Sequence, residues 1–578
     1  MSGYVVLTWP SDDAEARNRL AALLPPVVLA EGWRWAIKDD NWWVLTTAHQ
    51  PPAILQIPDV SGLIIGDLFT RQFAAATPAM LRGRLSVERA CPERQCRNLL
   101  ADFWGRYVAV LPQDAGPRPA IFRDPSGALE CLTWETGGVT VVASHLPDWL
   151  LDHLTPRLAV DWSRVGAFLT NSANIGGPLA LSGIEAVPAG ALYADGQVKP
   201  LWRPGDIARR PAPSLEQAQD GLREVVDGCV AALASPPGSI IAEVSGGFDS
   251  AVVAATLARL PNAGVVQWVN YHAPDRRGDE RRYARALADH CRFTLSEAIK
   301  PEAGLIAAGL QAISGGPRPA LDGLDVPRDR DIAARCETLG ARAIFTGQGG
   351  DMVFFQRATP LVLADDLRRR GLRALSPTAL RNMSIWTGRS AWSALHSAVH
   401  GSRRGTTAVD HPWLADLEGL PPAKRLQIET LAECQMMSGD SLRARQATMI
   451  HPLLAQPVME HCLTIPVMDL TGGRRDRALA RRAFADRLPR LITERRAKGE
   501  LSAYYGRMVT ASLDFLRPQL LEGRLAAHGL IDRNRLDDVL TPESLIWRGD
   551  YAGILVTALV ESWAASWERR IAAGFKAP

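Results

Sequence analysis

Ser245-Gly246-Gly247-Phe248-Asp249-Ser250 lies where a buried strand, Ser239 to Val244, turns into an apolar helix read from Ala251. Gly246 and Gly247 lack Cβ atoms, so the backbone can bend tightly there. It can then aim several N–H groups at an anion, with the positive end of the following helix behind them. Ser245 and Ser250 add hydroxyl donors. No lysine precedes the last serine and no four-residue spacer separates the glycines, which excludes the phosphate loop of kinases and GTPases. A plain strand-to-helix glycine turn is the simpler alternative, and the apolar flanks favour a pyrophosphate cradle.

Outward from this turn the chain alternates. A helical face of Leu222, Val225, Val226, Val230 and Leu233 leads into the strand. Val265 to Tyr271 reads as a second strand, Asp279 to His290 as a helix, and Ala341 to Thr346 as a further strand ending in Gly347-Gln348-Gly349-Gly350-Asp351. Such alternation implies a parallel sheet with helices on both faces and a ligand at the carboxyl ends of the strands. Asp249 and Asp351 each follow glycines at a strand end. Together they suit a Mg²⁺ that bridges phosphate oxygens; either alone also reads as a turn or helix-capping aspartate. Beyond Leu361 the pattern is helical almost to the C-terminus, with apolar periodicity in 424–437 and 551–567.

The first two hundred residues read mainly as β. Runs such as Trp42 to Thr46, Tyr107 to Leu111, Ala120 to Phe122 and Val139 to Ala143 are separated by turn signals, among them Asp124-Pro125-Ser126-Gly127. The Pro-bearing stretch from Trp202 to Pro213 reads as a linker, which divides the chain into domains 1–205 and 206–578. The balance of 65 basic and 62 acidic residues argues against a broad nucleic-acid footprint. Between Thr471 and Lys498, however, ten Arg or Lys stand against three Asp or Glu, as a solvated helix face or an anion site. The eight scattered cysteines read as reduced thiols, and no signal peptide or membrane-length apolar run is evident, so a cytoplasmic location is expected.

The loop resembles the PP-loop, SGGxDS, of ATP pyrophosphatases, which cleave ATP between its α and β phosphates. Nearly the whole chain resembles the asparagine synthetase superfamily. Phe103-Trp-Gly-Arg-Tyr107, Arg123-Asp-Pro-Ser-Gly127, Val141 to Ser144 and Gly183-Ile-Glu-Ala-Val-Pro-Ala-Gly190 follow the order of elements in its glutamine amidotransferase domain. His451-Pro-Leu-Leu-Ala-Gln-Pro457 and Arg495-Arg-Ala-Lys498-Gly499 resemble its later motifs. Gly472-Gly473-Arg474-Arg475-Asp476-Arg477-Ala-Leu-Ala-Arg481-Arg482-Ala-Phe and Gly347-Gln-Gly-Gly-Asp351 look most like lasso peptide cyclases. The implied fold is α/β and α+β. It joins an N-terminal Ntn-type, glutamine-amidotransferase-like β-sandwich to a PP-loop ATP pyrophosphatase (adenine nucleotide alpha-hydrolase-like) parallel-sheet domain with a helical C-terminal part.

What the resemblance implies about residues follows motif by motif. Ser245, Gly246, Gly247, Asp249 and Ser250 would hold ATP, together with Val269, Thr346, Gly347 and Lys498; Asp249 and Asp351 would hold Mg²⁺. Lys498 would neutralise charge developing on the α-phosphate; the bland alternative is a surface lysine. Arg474, Arg477 and Arg481 are expected on one helical face, gripping phosphate or carboxylate, with Arg477 catalytic. Two departures matter. Residue 2 is Ser where a glutaminase of this type needs an N-terminal cysteine, so the first domain reads as a retained fold without that activity. Gln348 stands where relatives carry Glu or Tyr and cannot titrate. By proximity to the matched motifs His451, Glu500 and Tyr504 are candidates to take the proton, each with a structural role as the simpler alternative. The implied reaction is macrolactam formation on a core peptide, with an asparagine synthetase or β-lactam synthetase-type ligase of small molecules as the alternative and a non-catalytic precursor-binding scaffold as a further one. The implied partners are a leader peptidase and a leader-recognition protein, with neither nucleic acid nor membrane.

Overall fold

In the computed structural model the described residues are 3–10, 13–23, 32–57, 62–85, 91–113, 118–400, 409–496 and 499–575. The N-terminal half contains two six-stranded antiparallel sheets. One orders Glu185–Ala186, Leu132–Thr136, Val139–Ala143, Tyr4–Thr8, Trp42–Thr47 and Trp33–Lys38. The other orders Gln197–Pro200, Ala191–Ala194, Ala120–Arg123, Phe103–Leu111, Gly62–Thr70 and Ile54–Ile57. Alternate residues of both sheets, including Tyr4, Val6, Val44, Ile65, Val108 and Val142, meet in one buried layer, as a sandwich requires. The two-residue period explains why the same strands show a second apolar face to their flanking helices.

The C-terminal half is built on five parallel strands. Their order is Leu295–Ile299, Val265–His272, Ser239–Glu243, Ala341–Phe345 and Thr448–Ile450. The chain works outward from Ser239–Glu243 in one direction, then returns to its other side, so the topology reverses between Ser239–Glu243 and Ala341–Phe345. A parallel sheet opens a crevice at the carboxyl ends of its strands where the topology reverses in this way. Both glycine-rich turns leave the sheet there.

Three readings of the sequence need correcting. The helix after the loop is Phe248–Leu257, capped by Gly247, and so begins three residues earlier than Ala251. Thr448–Ile450 is a strand inside the stretch read as helical; three residues are too few for a period to register. The expected linker is packed rather than loose. Pro204–Ala208 is helical, and Trp202 is buried edge-on against Trp413 and donates to Glu460 at 2.9 Å. The halves are further tied by the last helix, Tyr551–Ala573, whose Trp563 and Trp567 share a buried core with Trp33, Trp149 and Phe168 and both donate to the Gly316 carbonyl. No helix of the described residues is long and apolar enough to cross a membrane.

Candidate active site

A cleft of about 890 Å³ opens at the crevice and is lined by both glycine turns. The turns touch. A Cβ on Gly347 would lie 2.2 Å from the Ser250 nitrogen, and one on Gly350 would lie 2.6 Å from the Asp249 side chain. Only glycine permits that approach, and it brings Asp249 and Asp351 to neighbouring positions on the cleft wall.

The serines of the loop do more shaping than expected. Ser250 Oγ lies 2.8 Å from Ser245 Oγ and donates to the Gly247 carbonyl, while the Ser245 and Gly247 amides donate to the two hydroxyls. This internal bonding fixes the bend and leaves the first amides of Phe248–Leu257 pointing out of the helix end, where an anion is favoured. Ser245 remains exposed on the cleft. Val269 has a different place: its side chain is buried in the sheet core with Ile241 and Ile344, its carbonyl accepts from Val244, and it does not line the cleft.

On the second turn, Thr346 Oγ1 lies 2.7 Å from His451 Nδ1 and accepts the Gln348 amide at 3.2 Å. Burial pushes the His451 imidazole down to about 4, so it stays neutral at physiological pH and orients Thr346. Of the other two candidate proton acceptors, Glu500 is exposed with its amide on the Arg277 carbonyl, and Tyr504 donates to the Pro301 carbonyl. Neither lines the cleft; the adjacent Tyr505 does.

The arginines do not share a helical face. Arg477 precedes the helix Ala478–Ala483 with a left-handed backbone, φ +53°, which turns its side chain away from the helical register. Its fork donates to both Asp249 oxygens at 2.7 and 2.5 Å, and it also meets Asp476 and Gln356. Burial alone would lower its pKa, yet Asp249 and Asp476 raise it. Arg481 is spent on Asp476 and on the Ile492 and Thr493 carbonyls, and Arg474 is exposed. The left-handed residue breaks the i, i+3, i+4 spacing on which the one-face expectation rested.

Lys498 and Ser2 lie outside the described residues. Of the neighbours of Lys498 in sequence, Arg495 pairs with Glu280, and the Gly499 amide donates to the same carboxylate. Arg495 also donates to the Gly246 carbonyl at 3.0 Å and stacks over Tyr283. The sequence placed Arg495 in a motif without a role; its position beside a lysine candidate was the available signal.

The model of the asparagine synthase family matches residues 221–565, which spans the sheet, both turns and the Arg477 segment. The chain belongs to the asparagine synthase family. It is accordingly an ATP-dependent, AMP-forming ligase that makes amide bonds. No curated protein matches the chain. Among solved structures, one titled as the allosteric regulatory enzyme of purine biosynthesis aligns at 10% identity, over 53% of this chain and 76% of that one, with a TM-score of 0.18.

Proposed function

We propose that this ligase is a lasso peptide cyclase. The observation that supports the reading is the extent of the cleft: past the two glycine turns it continues between Trp386, Met436, Met437, Tyr551, Leu555 and Val556. Such aromatic and flexible apolar walls suit a peptide chain better than one small amino acid. A side-chain carboxylate of the core peptide attacks the α-phosphorus of ATP and pyrophosphate leaves. The peptide's own α-amine then displaces AMP, closing the ring with overall loss of one water.

Asp249 and Asp351 would hold Mg²⁺ when it is bound, and the ion would neutralise phosphate charge. No group of three or more metal-capable side chains occurs among the described residues, and two carboxylates completed by phosphates and water are what Mg²⁺ accepts. Arg477 keeps Asp249 oriented and offers a second charge-assisted grip near the phosphates. Gln348 orients the reacting groups from a turn that His451 and Thr346 hold in place; it cannot carry a proton. Lys498 is assigned the α-phosphate. The N-terminal half, with Ser2 in place of cysteine, serves as a scaffold rather than a glutaminase. Glutamine is therefore not hydrolysed, and Ser2→Ala leaves ring closure unchanged. The precursor's leader would be handled by a separate peptidase and recognition protein.

The test is incubation with ATP, Mg²⁺ and a leader-free core peptide encoded beside the gene. A product lighter by one water, with AMP and pyrophosphate, supports the cyclase. Turnover of aspartate and ammonia with no dehydrated peptide establishes a small-molecule ligase instead.

A further inference from the structure

Glu243 ends the central strand two residues before Ser245, and around it the cleft wall is built of buried charge. Glu243 pairs with Arg328 at 2.6 Å, Lys300 pairs with Asp325, and Arg443 lies 3.9 Å from Asp322 and 3.5 Å from Asp329. Apart from the first pair, each of these side chains is 7% exposed or less. Four carboxylates thus face three cations. Burial raises the Asp322 carboxyl to about 6 despite the pull of Arg443, and it raises Asp329 as well.

The hydrogen bonds are incomplete in a directed way. Asp322 Oδ2 accepts from Ser441, Asp325 Oδ2 accepts from Lys300 and Tyr505, and Arg443 Nη2 donates to the Asp322 carbonyl. Those bonds fix the three side chains. Asp322 Oδ1 and Asp325 Oδ1 then meet no donor, and Arg443 Nη1 meets no acceptor, among the described residues, while Arg443 Nε faces Asp329 Oδ1 at 3.5 Å. All three residues line the cleft. Unpaired polar atoms at such depth are costly unless a ligand completes them.

We propose that this end of the cleft binds the free N-terminal aminoacyl group of the substrate, the ammonium between Asp322 and Asp325 and the adjoining carbonyl oxygen on Arg443. The assignment rests on the reading above, in which the substrate brings its own amine. An ammonium supplies donors for both bare carboxylate oxygens and the single positive charge the cluster lacks. The carbonyl next to it supplies the acceptor Arg443 lacks. An anion would meet the excess of carboxylates, and a divalent cation would overshoot the balance and face Arg443 and Arg328.

Triglycine amide and its N-acetyl derivative, which differ by that one charge, test the site by calorimetric titration of the full-length protein. The free amine should bind about tenfold tighter or more, the scale of charge-assisted bonds. Asp322→Asn and Asp325→Asn should each shrink that ratio while leaving ATP affinity unchanged. Equal affinity of the two probes for the wild-type protein overturns the proposal and requires no variant. ATP–pyrophosphate exchange driven by the core peptide reports separately on the cyclase reading. Amine preference without exchange keeps the subsite and removes the cyclase; exchange without amine preference does the reverse.

Discussion

Two buried ion clusters in this molecule use the same side chains to different ends. Where the halves meet, Glu130 lies between Arg123 and Arg318. Arg123 spends its N–H groups on the Leu129, Val187 and Gly127 carbonyls, and Arg318 reaches Ile175 and Gly177. That network is closed. The cluster of Glu243, Lys300, Asp322, Asp325, Arg328, Asp329 and Arg443 is as deeply placed, yet among the described residues it keeps oxygens and N–H groups without a hydrogen-bond partner beside a cleft. Burial and charge alone therefore do not separate a structural network from a binding one; the unfilled valences do.

The largest expected effect lies in the closed network. Glu130→Gln strands two buried guanidiniums and should cost about 3–5 kcal/mol in chemical denaturation; a loss under about 1 kcal/mol would end its description as structural. Next, Asp351→Asn removes one proposed oxygen ligand from a half-buried position. ATP–pyrophosphate exchange should fall by on the order of a hundredfold with the melting temperature unmoved, and retained exchange would take Asp351 out of the site. Opposite in sign is Asp322→Asn. Because the native state holds this carboxyl's pKa at about 6, ionising it costs stability as pH rises from the unfolded value near 3.8 through 6. The variant should gain up to about 3 kcal/mol at pH 7.5, the worth of a carboxyl pKa raised from 3.8 to about 6, and the gain should vanish near pH 4, as thermal melts would read.

The smallest effect is the acid limb of the wild-type protein. Burial would raise the Glu130 carboxyl, but Arg123 and Arg318 bring it down to about 2. Its contribution is therefore complete above the unfolded value near 4.5 and is lost as pH falls toward 2. A melting profile that declines there in the wild type and is flatter in Glu130→Gln would sharpen the contrast between the clusters.

Much of the cleft end that carries the two glycine turns was legible in the sequence because it is local. Tight turns need glycine, strands and helices carry their own periods, and both turns sit beside the residues they position. The parallel sheet and the adjacency of Asp249 and Asp351 followed from that alternation. The other end was not legible. Glu243, Lys300, Asp322 and Arg443 lie far apart in sequence on separate elements, and none has a local pattern that distinguishes it from a surface charge. The expected arginine face failed for a related reason, since the left-handed backbone at Arg477 has no signature that periodicity can register.

Tyr551–Ala573 begins at the cleft, where Tyr551, Leu555 and Val556 line the wall, and ends among the N-terminal aromatic residues that clasp Trp563 and Trp567. It works as a beam anchored at the far side, so the shape of this cleft wall is borrowed from the N-terminal half of the protein. Removing residues 1–205 would then leave the beam unmoored, with the anion cradle intact and the mould opposite it lost.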